Sequence, residues 1–89
     1  MSEQPWAVNF HRDLENEIRR LPRSYLKRVL EAIEALGADP RLRGSKRLEG
    51  YDFWRIQVGV YRVLYEIDEE NRAVNTYRIG HRKDVYRSL

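Results

Sequence analysis

No cysteine occurs in the 89 residues, which excludes disulfides and thiolate zinc sites. Glycine and proline are sparse, five and three in all, and no glycine-rich loop is present to cradle a phosphate. No Glu/His cluster has metal-ligand spacing and no serine has an evident base, which argues against metal-dependent and acyl-transfer chemistry. No segment approaches the roughly 18 apolar residues needed to cross a bilayer. The start, Met1-Ser2-Glu3-Gln4-Pro5, lacks the basic run and apolar stretch of a leader. The expectation is a soluble cytoplasmic protein without cofactor, metal or membrane contact.

What remains is a chain of 42% hydrophobic and 35% charged residues, the balance of a folded, well-solvated globule rather than a disordered tail. Its length predicts one small domain, residues 1–89, with no deep cavity. Charge is unevenly spread. Residues 1–40 hold six Lys/Arg against seven Asp/Glu, whereas residues 41–89 hold eleven against seven. The basic half is the half with most of the strands, so its arginines either decorate solvated strands or mark a binding face.

Trp6-Ala7-Val8-Asn9-Phe10 alternates as a short strand with Trp6, Val8 and Phe10 on one face. Leu14, Ile18 and Leu21 then recur at helical spacing up to Pro22, which ends the first helix. Leu26, Val29, Leu30, Ile33 and Leu36 give a second helix a broad apolar stripe, with Pro22 in its first turn and Gly37 as its C-terminal cap. Asp39-Pro40 opens an exposed basic loop, Arg41 to Arg47. From Phe53 the period becomes two, and Gly59-Val60 is a two-residue type II′ hairpin loop.

That loop sets Val58 opposite Tyr61, Gln57 opposite Arg62, Ile56 opposite Val63, Arg55 opposite Leu64 and Trp54 opposite Tyr65. Trp54, Ile56, Val58, Tyr61, Val63, Tyr65 and Ile67 then form one wall for the helices, with Arg55, Gln57 and Arg62 on the other face. A slip of one residue would bury both arginines. Ala73 to Ile79 make a last strand of ambiguous facing, because Val74 and Ile79 have opposite parity. Lys83 to Leu89 are expected to wind into a short helical turn. The architecture is β-α-α-β-β-β, an α+β fold in which a helical hairpin covers one face of an antiparallel sheet and leaves the far face open and basic.

Arg55 and Arg62, with Arg82 after the last strand, suit a phosphate held by several charge-assisted hydrogen bonds; the alternative is that each pairs with a nearby acid such as Glu66. Tyr86, four residues past Arg82, either packs or stacks on a base. His11, at the strand-to-helix junction, suits a helix-end role, and His81 either assists catalysis or shapes the turn. Lys46, Arg47 and Lys83 add positive charge.

Nearly the whole chain resembles the RelE/ParE superfamily of toxins from toxin–antitoxin pairs. The likeness is carried by Trp6-Ala7-Val8, Leu21-Pro22, Lys46-Arg47-Leu48-Glu49-Gly50, Trp54-Arg55-Ile56, Gly59-Val60-Tyr61-Arg62-Val63-Leu64-Tyr65, Ile79-Gly80-His81-Arg82 and Val85-Tyr86 in order. It implies the RelE-like fold and, for the RelE branch, a metal-free endonuclease that cuts mRNA in the ribosomal A site by attack of the ribose 2′-hydroxyl on the adjacent phosphate. The resemblance assigns catalytic positions to Arg55, Arg62, Arg82 and Tyr86, with Gln57, His81, Lys46, Arg47 and Lys83 supporting or binding RNA. Gln57 departs from the pattern, which has a second basic residue there. A cognate antitoxin, the ribosome and mRNA are the implied partners, with DNA contact mainly through the antitoxin. The ParE branch implies a different outcome, a non-nuclease toxin that inhibits DNA gyrase.

Overall fold

The structure, a computed structural model describing residues 5–88, sets two helices against a five-stranded sheet. Met1–Gln4 of the stretch read for a leader, and Leu89 of the expected terminal turn, lie outside the described residues. No helix among the described residues is long and apolar enough to cross a membrane.

Strand β1 (Ala7–Phe10) passes at His11 into α1 (Arg12–Arg19). His11 caps that helix: its Nδ1 accepts from the Asp13 N–H at 3.1 Å, satisfying one of the orphan donors of the first turn. Helix α2 (Arg23–Leu36) is capped by Pro22, whose extended ψ of 144° places it just outside the first turn and whose carbonyl accepts from Tyr25 and Leu26. Val29, Ile33 and Leu36 are buried at the i, i+4, i+7 positions that face the sheet. Leu30, expected in that stripe, lies one step around the helix and is 39% exposed; Phe10, expected beside Trp6 and Val8, is also exposed, at 39%. Gly37 caps α2 with an ordinary right-handed φ of −68°, so its glycine is explained by packing. A Cβ there would lie 3.1 Å from Val8 Cγ2, because β1 runs directly beneath.

The remaining strands are β2 (Lys46–Arg47), β3 (Trp54–Val58), β4 (Tyr61–Asp68) and β5 (Ala73–His81), in the order β1-β5-β4-β3-β2. Two features differ from the expected antiparallel sheet. Strand β1 pairs parallel with β5, from Ala7 opposite Ala73 to Phe10 opposite Thr76, so the sheet is mixed. Parallel neighbours need a long crossover, and the helical hairpin with the β3–β4 meander supplies it. Lys46 and Arg47, expected in an exposed loop, pair with Arg55 and Trp54 as β2. The loop before them is tied down: Tyr65 Oη donates to the buried Pro40 carbonyl at 2.6 Å, Leu42 packs on the core, and Arg41 pairs with Glu69 at 2.6 Å.

All five hairpin pairs between β3 and β4 form as the turn dictates. Gly59 has φ of 60° and Val60 does not share a positive φ, the requirement of a type II′ turn. The parity conflict between Val74 and Ile79 is resolved by a bulge. Leu64 pairs with Arg78 and Tyr65 with Thr76, which leaves Tyr77 as the extra residue and turns both Val74 and Ile79 to the helices. The far face is less open than expected. Leu64 is fully buried there, and the 3-10 helix Val85–Ser88 folds back so that Val85, 2% exposed, covers Gly80.

Candidate functional site

Two cross-strand rows cross the far face near the hairpin. One runs Gln57, Arg62, Gly80; the next runs Arg55, Leu64, Arg78. Arg62 folds over the turn, its Nη1 donating to the carbonyls of Gly59 at 3.0 Å and Tyr61 at 3.1 Å. Carbonyls orient a guanidinium without neutralising it, so the charge and the remaining N–H donors stay available. Arg55 is half-buried and has no ion-pair partner among the described residues. Lys46, directly opposite it on β2, shares its face.

Arg82 follows β5 and its N–H donates to the Val60 carbonyl at 2.8 Å, which holds it beside the hairpin turn. Its side chain is exposed and unpaired among the described residues. Tyr86, 36% exposed, follows Val85 in the 3-10 helix. Arg55 and Arg62 thus stand in neighbouring rows of one face, and the Arg82 backbone lies beside the hairpin turn. Glu66, the acid that was to compete for them, instead accepts from Tyr77 Oη at 3.1 Å and Asn75 Nδ2 at 3.2 Å. Burial, reinforced by the Glu66 carboxylate, pushes the Tyr77 hydroxyl pKa up, so it stays a donor.

Other expected residues separate from this group. His81 pairs with Tyr61, so its ring turns toward the helical side, 6.3 Å from the Tyr61 ring, and its Nδ1 accepts from the Lys83 N–H at 3.2 Å. It shapes the turn rather than facing the arginines. Arg47 pairs with Trp54, on the parity opposite to Arg55, and is held by Asp52 at 3.0 Å. Lys83 is exposed in the turn after β5. Gln57 is exposed directly across from Arg62. The arrangement can bind a phosphodiester through several guanidinium donors, and among the described residues it places no carboxylate or imidazole against them.

Residues 6–86 match the family model of the ParE toxin of the type II toxin–antitoxin system. The chain belongs to the RelE/ParE superfamily of toxins. It is 34% identical over 85 residues to Toxin RelG of Mycobacterium tuberculosis, covering 93% of this chain and 98% of that protein. It is 31% identical over 85 residues to the putative toxin RelE1 of Methanocaldococcus jannaschii, covering 91% and 94%. Among solved structures it is similar to the RelBE2 toxin–antitoxin complex of Mycobacterium tuberculosis, with a TM-score of 0.77 at 32% identity over 86% of this chain and 98% of that one.

In this RelE/ParE toxin, one cation on the far face escaped the sequence. Arg78 shares a row with Arg55 across Leu64, and its Nε is held at 2.7 Å by Glu17 of α1, whose other oxygen accepts the Ile79 N–H at 2.8 Å. The signal was the parity conflict in β5: read as a bulge, it moves Arg78 and Gly80 to the side of Arg62.

Proposed function

We propose that this toxin is a metal-independent, ribosome-dependent mRNA endonuclease. The observation that supports it is a set of three arginines, Arg55 and Arg62 in neighbouring rows of the far face and Arg82 beside the hairpin turn, none of them neutralised by a carboxylate among the described residues. The 2′-hydroxyl of the RNA, giving its proton to solvent, attacks the adjacent phosphorus and expels the 5′-oxygen of the next nucleotide, which takes up a proton. The three arginines stabilise the charge that builds on the pentavalent phosphorane. Glutamine cannot act as a base and arginine keeps its proton, so alignment of the RNA by the ribosome carries much of the rate. Tyr86 protonates the leaving oxygen or stacks on a base. The relative solved as a toxin–antitoxin complex supports a cognate antitoxin here; in our reading that antitoxin covers this face and provides any DNA contact.

The ParE-type reading, binding and inhibition of gyrase without RNA cleavage, keeps support from the family model and from Gln57 in place of a basic residue. Translation in a purified system separates them. The nuclease reading expects mRNA cut only when ribosomes are present; intact mRNA together with blocked supercoiling favours the ParE type.

A further inference from the structure

Away from the hairpin, the far face changes from cationic to aromatic. The Tyr77 ring lies 5.5 Å from Phe53 at 86° and 5.5 Å from His11 at 48°. Three unrelated devices bring these rings together. Phe53 precedes β3 on the parity opposite to Trp54, Tyr77 is the residue extruded by the β5 bulge, and His11 caps α1. None of the three belongs to the helical-side core. Phe53 and Tyr77 are half-buried and the His11 side chain is 46% exposed, so ring surface remains accessible to a ligand. The Tyr77–Glu66 hydrogen bond fixes the central ring, and the Glu66 carboxylate makes this end hostile to a phosphate while leaving it suitable for an uncharged base.

The adjoining row is Arg55 and Arg78, one two-residue step along the strands, or about 7 Å. Glu17 occupies the Nε of Arg78, and both of its terminal nitrogens lack a partner among the described residues. A cationic row beside a cluster of rings is the arrangement by which proteins hold single-stranded nucleic acid, with phosphates on guanidinium groups and bases on aromatic faces.

We propose that Phe53 and Tyr77, flanked by His11, form a base-stacking subsite for a nucleotide of single-stranded RNA adjoining the cleaved bond, with Arg78 and Arg55 holding the intervening phosphate. The subsite rests on the RNA reading of the arginine rows. Its test is binding rather than cleavage, followed by NMR on the full-length protein with labelled aromatic and arginine side chains. The probes are the RNA trinucleotide AAA and an abasic ribose-phosphate trimer. AAA is expected to shift the ring protons of Phe53 and Tyr77, whereas the abasic trimer shifts only the arginine Nε–H signals. Phe53→Leu, which keeps apolar bulk and removes the ring, weakens AAA binding roughly tenfold and leaves the abasic trimer unaffected. Phe53→Tyr, which keeps a ring at that position, is expected to bind AAA more tightly than Phe53→Leu; an equal loss in both variants overturns stacking. Arginine signals that respond while the rings stay still overturn the subsite alone. Silence of both sets overturns the subsite, whereas the RNA reading stands or falls on ribosome-dependent cleavage by the unaltered protein.

Discussion

Arg82 owes its exposure to the turn after β5, where its N–H is held by Val60 and its side chain meets no acid among the described residues. Replacing it with alanine removes charge without opening a cavity. Arg82→Ala is therefore expected to change unfolding free energy by less than about 0.5 kcal/mol while abolishing toxicity in cells, as growth curves and a denaturant titration would show. Tyr65 presents the opposite case, a polar group sealed in the core. Its Oη donates to the Pro40 carbonyl at 2.6 Å, and burial pushes its pKa from 10.0 up to about 12. The unfolded chain releases that proton first, so stability is retained below pH 10 and falls as pH rises toward 12. Tyr65→Phe is expected to cost about 1–2 kcal/mol at neutral pH and to flatten that alkaline decline in thermal melts. At this scale the facing of Arg55, Gln57 and Arg62 was legible because a two-residue turn leaves one register. The orientation of His81 was not, since the strand had to continue past Gly80 before its parity could be assigned.

Among the elements, α1 does more than cover the sheet. Beyond Phe10, where β1 ends, β5 would have a bare edge at Ile79; Glu17 satisfies that N–H and the Arg78 guanidinium together. Glu17→Ala is expected to cost about 2 kcal/mol and to speed hydrogen exchange at the Ile79 amide, with little change at Val63. Equal acceleration at both amides would point to global loosening instead. The helices and the β3–β4 hairpin could be read from periodicity and turn chemistry. Strand β2 could not, because two charged residues, Lys46 and Arg47, carry no period; only the neighbouring edge of β3 makes them a strand. The β5 bulge was visible as a contradiction between Val74 and Ile79 without being recognised as one extra residue.

At the scale of the whole molecule, the helices occupy one side of the sheet and leave the arginines of β3, β4 and the β5 terminus on or beside the other. The mixed order β1-β5-β4-β3-β2 puts β4 at the centre, so Arg62 projects from the middle strand and Arg55 from its neighbour β3, while Arg82 follows β5 in the turn. The parallel β1–β5 contact was not legible, since strand order depends on how the helical crossover packs and leaves no local mark. The central claim is that Arg55, Arg62 and Arg82 act on RNA by stabilising charge in the transition state. The most direct measurement is the single-turnover rate of mRNA cleavage on purified ribosomes for Arg62→Ala beside the unaltered protein. A fall of roughly 100-fold or more, with melting temperature retained, is the predicted result. Cleavage by the variant at the unaltered rate, or no ribosome-dependent cleavage by either protein, would contradict it.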